Sequence, residues 1–103
     1  MKIHEIPLIP ENQHFSIQLA GRNFIFRFTF RDEAGWIMDI SDMQTGTLVS
    51  GVPLIPDTDL LAQYPDIQLG GKLRVVSDDD SLEYPSKSNL GTGSHLYFIE
   101  GEV

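Results

Sequence analysis

Phe24-Ile25-Phe26-Arg27-Phe28-Thr29-Phe30-Arg31 is the stretch on which the fold turns. Phenylalanine occupies every second position, and Arg27, Thr29 and Arg31 fall between. A chain that alternates in this way places one apolar and one polar face on a β-strand. On a helix the same spacing would scatter the rings around the axis. Upstream, Phe15, Ile17 and Leu19 alternate with Ser16 and Gln18, and Ala20-Gly21 separates that run from the phenylalanines. Downstream, Asp32-Glu33-Ala34-Gly35 has the length of a hairpin turn. It leads to Trp36, Met38 and Ile40 on one face, with Asp39 and Ser41 on the other. Asp42 to Gly46 turns the chain again, and Thr47-Leu48-Val49-Ser50 resumes it. The spacing predicts an antiparallel meander.

Beyond it, Gly51-Val52-Pro53-Leu54-Ile55-Pro56 is apolar, but a proline cannot donate to a ladder, so it reads as a sheet edge or a bend leaving the sheet. Asp57 has the character of a helix N-cap, with Asp59 favourable in the first turn. Leu60, Leu61 and Tyr64 then share a helical face, and Pro65 ends the segment. One or two turns of helix are expected there. Ile67 and Leu69 lead to the flexible Gly70-Gly71, and Lys72 to Ser77 forms a strand with Leu73 and Val75 on one face. Residues 78–94, with Pro85, Gly91 and Gly93 among polar side chains, read as a long loop of the kind that is usually functional or mobile. His95 to Glu100 closes the chain as a strand with Leu96 and Phe98 opposite Tyr97 and Ile99. The expectation is an all-β fold, a small antiparallel β-barrel or β-sandwich with one short helix. Residues 1–103 are read as a single β-rich domain.

Composition narrows the function. Seven basic against fifteen acidic side chains leave a formal charge of −8 in 103 residues. An acidic chain is poorly suited to phosphate backbones, which are bound by clustered Lys and Arg. The absence of cysteine excludes disulfide frameworks, thiolate nucleophiles and cysteine-ligated metals. The opening Met1-Lys2-Ile3-His4-Glu5-Ile6-Pro7 lacks the basic and apolar regions of a secretory signal. No apolar run approaches the roughly 20 residues of a membrane helix. Neither membrane insertion nor direct nucleic-acid binding is expected.

The chemical motifs are weak. Asp78-Asp79-Asp80 with Glu83 is the obvious metal suspect, since calcium takes oxygen ligands from acidic loops. The spacing is not that of an EF-hand, because Glu83 stands where glycine is required. Runs of like charge are most often solvated, so no metal and no cofactor are assigned. His4, His14 and His95 show no metal-ligand spacing, and Ser94-His95 is a dipeptide without a nucleophile elbow. Gly91-Thr92-Gly93-Ser94 lacks the lysine of a phosphate loop. Trp36 would suit a sugar, but it lies in phase with Met38 and Ile40, which favours burial; Tyr84 and Tyr97 are freer. No catalytic residue is assigned and the chain is not read as an enzyme. The alternative is a small ligand-binding β module. It would take carbohydrate on Trp36, Tyr84 and Tyr97; a second rival is a small metal-dependent enzyme or calcium-stabilised domain built around Asp78, Asp79, Asp80 and His95.

In order along the chain, several features resemble a known family. They begin with Ile6-Pro7-Leu8, Pro10-Glu11-Asn12-Gln13-His14-Phe15 and Leu19-Ala20-Gly21. Gly35-Trp36-Ile37-Met38-Asp39-Ile40, Gly51-Val52-Pro53-Leu54 and Asp59-Leu60-Leu61 follow. Gly70-Gly71-Lys72-Leu73, Pro85, Asn89-Leu90-Gly91 and Leu96-Tyr97-Phe98 complete the series. The pattern spans nearly the whole chain and is similar to the baseplate plug proteins of contractile-tailed phages and prophages. The resemblance implies a β-rich structural protein of the virion tail baseplate, assembled in the host cytoplasm. It would pack in several symmetric copies against the tail hub, spike and inner baseplate proteins, with no enzymatic activity and no cofactor. The acidic run 78–80 has no counterpart in that pattern.

The interface residues expected from this reading are Pro7, Pro10, Arg27, Arg31, Asp78, Asp80 and Tyr84. Arg22, Arg27 and Arg31 mark the phenylalanine strand, whereas the acids gather in the long loop, which suggests two faces for different neighbours. Residues 2–12 and 78–94 are expected to be ordered mainly by those neighbours.

Overall fold

The computed structural model describes residues 2–44, 46–64, 66–67, 69–78 and 84–100. Seven strands make two antiparallel sheets. They are β1 (Lys2–Ile6), β2 (Gln13–Leu19), β3 (Arg22–Arg31), β4 (Gly35–Asp42), β5 (Gly46–Pro53), β6 (Gly71–Ser77) and β7 (Ser94–Glu100). The sheet orders are β2-β3-β4-β5 and β1-β7-β6. The first is the meander the alternation predicts. Residues from both sheets enter one buried cluster, so the sheets are two layers over a common core and do not close into a barrel.

Phe24, Phe26 and Phe28 are fully buried beside Met38 and Ile40 from β4. Leu73, Val75, Leu96 and Phe98 come from the opposite sheet. Each buried phenylalanine contributes about 1.5–3 kcal/mol over an exposed one. Phe15 flanks the stripe, its ring centroid 6.0 Å from that of Phe28. Ala20 and Gly21 form the two-residue β2–β3 loop between the paired Leu19 and Arg22. Both have positive φ, 49° and 82°, as the type I′ hairpin requires. The β4–β5 ladder shifts register twice. At one shift the Gly51 N–H donates to Asp39 Oδ1 at 2.8 Å, so the polar Asp39 serves the irregular backbone beside it. Pro53 lies at the end of β5, an edge strand, and pairs with Ile37.

Among the described residues the short helix expected after Asp57 is absent. Asp57 adopts φ 57°, a conformation outside the N-cap range, and its N–H donates to the Val75 carbonyl at 2.9 Å. The Leu60 N–H donates in turn to the Leu73 carbonyl. The segment is thus held against β6 as an irregular strap. What remains of the helical signal is a pair of tight turns, with Ala62 N–H on the Asp59 carbonyl and Tyr64 N–H on that of Leu61. Asp59 caps the first of them through Oδ1 to the Leu61 N–H. Leu54, Leu60, Leu61 and Leu69 are all buried beneath this strap, and tertiary packing overrides the local preference. Pro65, expected to end the helix, lies outside the described residues.

The N-terminal segment also differs from expectation. Lys2–Ile6 is a strand of the chain's own sheet, paired with β7 from Lys2↔Glu100 to Ile6↔Leu96. Leu8 is buried, and the Gln13 side chain bridges the Ile9 and Glu11 carbonyls. Residues 84–93 are likewise tied down. Trp36 Nε1–H donates to the Ser86 carbonyl at 2.8 Å, and Asn89 Oδ1 accepts from the Ser86 N–H at 2.7 Å. The Asn89 carbonyl accepts from the N–H groups of Thr92, Gly93 and Ser94. Both segments are held by the fold itself where described.

Candidate functional site

The two-layer arrangement leaves the outer face of each sheet uncovered among the described residues. On the larger sheet, register places His14, Arg27 and Asp39 in one row and Ser16, Ile25 and Ser41 in the next. All of these but Ser16 line a shallow groove of about 350 Å³ that extends to Thr47 and Ser50. The Arg27 and Arg31 side chains are exposed and make no hydrogen bond or ion pair with the side chains of the described residues. Arg22, the third arginine of the strand, is engaged instead. Its guanidinium reaches Asp42 Oδ2 at 2.7 Å and lies 4.9 Å from the Phe24 ring centre. Among the described residues, the stripe read from the sequence therefore reduces to Arg27 and Arg31 as cations without an acidic partner.

The smaller sheet presents the rows Ile3–Ile99–Lys72 and Glu5–Tyr97–Arg74, with His95 beside Val76. Here the chain assembles a cluster from residues distant in sequence. His95 Nδ1 stands 2.5 Å from Glu5 Oε2, and Nε2 stands 2.9 Å from Asp78 Oδ1. A carboxylate only accepts, so both contacts are made together when the ring is protonated and carries two N–H groups. The Glu5 hydrogen bond raises the His95 pKa most, burial lowers it, and the Asp78 hydrogen bond and the two negative charges raise it further. The net direction is upward. At the rim of this sheet His4 Nε2 meets Glu100 Oε1 at 3.1 Å.

The remaining candidates fall in different places. Asp78 and His95 do come together, but as an ion pair: both ring nitrogens face carboxylates, so neither is turned to a metal. Among the described residues no group of three His, Asp or Glu side chains could hold a metal ion. Asp79, Asp80 and Glu83 lie outside the described residues. Ser94 is buried and its Oγ donates toward Asn89, so it does not face His95 as a nucleophile would. Trp36 is buried against Phe30, ring centres 5.3 Å apart, so it cannot share an open sugar groove with Tyr84 and Tyr97. Pro7, Pro10, Arg27, Arg31, Asp78 and Tyr84 are all exposed. They do not form one patch, since Arg27 lies on the four-stranded sheet and Asp78 follows β6 of the other. The sequence reading missed Glu5, whose pairing with His95 depends on β1 lying beside β7. It also missed the His14–Arg27 juxtaposition, which alternation in β2 could have supplied.

Among the described residues, two sheet faces stand open to neighbours. Over residues 3–101 the chain matches the family described as Cyanophage baseplate Pam3 plug gp18. The chain belongs to the phage baseplate plug family. It is a structural component of a virion tail baseplate and works among other baseplate proteins. A search of curated proteins finds no match.

Proposed function

We propose that the protein is a non-enzymatic joint at the tail tip, packed against the central hub and spike near the tail axis and present in several symmetric copies. The family match across residues 3–101 carries this reading. The form of the surface supports it. Arg27 and Arg31 on one sheet are free to meet carboxylates of a neighbour. Asp78, together with Asp80 in the adjoining acidic run, would meet a cationic one, and Pro7, Pro10 and Tyr84 add apolar contact at exposed turns. Charges arranged in this way set orientation and partner choice more than raw affinity. Weak single contacts suffice when many copies engage one assembly.

The test is co-expression of the full chain with the hub and spike proteins of the same tail, followed by size exclusion. Co-elution that weakens in Arg27→Glu and Asp78→Lys variants is expected. A chain that elutes alone at every salt concentration contradicts the reading.

A further inference from the structure

The two open sides of the sandwich are closed unequally. On the β5–β6 side the described residues of the strap fill the gap with the buried Leu54, Leu60, Leu61 and Leu69 and donate two backbone hydrogen bonds to β6. On the other side, the edge strands β1 and β2 leave a groove of about 370 Å³. His4, Ile6, Ile17, Leu19, Phe98 and Glu100 line it. That volume falls within the usual range for a bound ligand, about 300–1,000 Å³.

Its chemistry favours an extended peptide over a small polar ligand. Among the described residues no buried side-chain nitrogen or oxygen lacks a hydrogen-bond partner, so no orphan polar group is aimed at a solute. Unused hydrogen-bonding capacity lies instead in the backbone. No described strand pairs with the outer edge of β1 or of β2, and each such edge carries a row of unpaired N–H and C=O groups. Of the two, β1 is the barer. Four of its five residues are exposed, and Ile3 is 60% exposed. Charge selects the guest further. The ionisable groups lining the groove are Glu5, Glu100 and His4; His4 contacts Glu100 and His95 contacts Glu5, both carboxylates remain part-exposed, and the chain carries a net charge of −8.

We infer that the β1 edge accepts a basic, extended strand from a neighbouring protein, which becomes the fourth strand of the β1-β7-β6 sheet. Its inward side chains, apolar and alternate, fill the groove over Ile17, Leu19 and Phe98. A lysine or arginine on its outer face extends the row Glu5–Tyr97–Arg74. Main-chain bonds supply affinity and the groove supplies selectivity, as in other cases of strand addition. The neighbour is taken from the baseplate reading above, on which this inference rests.

The experiment compares hydrogen exchange of the full chain, alone and mixed with the purified hub–spike subcomplex of the same tail. Residues 2–6 should become at least tenfold slower to exchange in the mixture. Ile17→Glu, which puts a third carboxylate in the groove, should weaken co-elution at least tenfold while its circular dichroism stays that of the parent. Protection of residues 2–6 on addition of the subcomplex, even should Ile17→Glu misfold, still supports strand addition. A complex that forms with unchanged exchange at residues 2–6 overturns the inference and leaves the baseplate reading standing. No complex at all overturns both. Residues 2–6 already protected in a dimer of the free chain would identify a second copy as the occupant and overturn the hetero-partner assignment.

Discussion

Replacing His95 by glutamine gives a pH-dependent test of how the smaller sheet is held together. The imidazole ties β1, through Glu5, to the end of β6, through Asp78, and its side chain is only 17% exposed. Two hydrogen bonds to charged groups would each contribute about 1.5–3 kcal/mol in a protected site. The partners, however, are 42% and 63% exposed, which brings such contacts toward the roughly 0.2–1 kcal/mol of surface pairs. Together they stabilise the fold by about 1–2 kcal/mol when the ring is charged. The sign follows from the upward shift of the folded pKa. The contribution is complete below the unfolded value of about 6.5 and is lost as pH rises through the folded value. Above it a neutral ring keeps one N–H and one of the two bonds. Urea unfolding of the parent and His95→Gln, measured from about pH 6 to about pH 9, isolates the group, because other titrations cancel in the difference. The parent should exceed the variant by about 1–2 kcal/mol at the acid end and by a few tenths at the alkaline end. A difference that is constant, or that grows with pH, refutes the reasoning.

Three further changes probe the packing. Trp36→Phe keeps a ring against Phe30 but removes the donor to the Ser86 carbonyl; a loss of about 1–2 kcal/mol is expected, with faster exchange over 84–93, and unchanged exchange there contradicts it. Gly91→Ala would place a Cβ 2.0 Å from the Leu8 carbonyl oxygen at φ +84°, so thermal unfolding should show a loss above about 2 kcal/mol. Arg27→Ala removes a side chain without a described partner, and stability should stay within about 0.5 kcal/mol. A larger loss would give Arg27 an intramolecular role.

The sequence disclosed the meander because Phe24, Phe26 and Phe28 bury one face at period 2, and a single frame of alternation fits that whole strand. Burial of Trp36 followed from the same phase. The strand Lys2–Ile6 was hidden because four of its five residues are exposed, so no alternation marks it. Its existence depends on a partner more than ninety residues away. The helix expected after Asp57 failed for a related reason. Local capping and spacing favoured it, but the backbone hydrogen bonds to Val75 and Leu73 hold the segment against β6 in separate turns. Of the candidate site, Asp78 and His95 were grouped as possible metal ligands and do meet. Their chemistry changed once Glu5 arrived on the other ring nitrogen, a contact that no local spacing encodes.

The central claim is a structural place in the tail, and electron cryomicroscopy of intact tails tests it most directly. Density is expected at the baseplate into which the four- and three-stranded sheets fit as one unit, with neighbouring protein against at least one outer sheet face. Complete baseplates reconstructed without this two-sheet unit would contradict it.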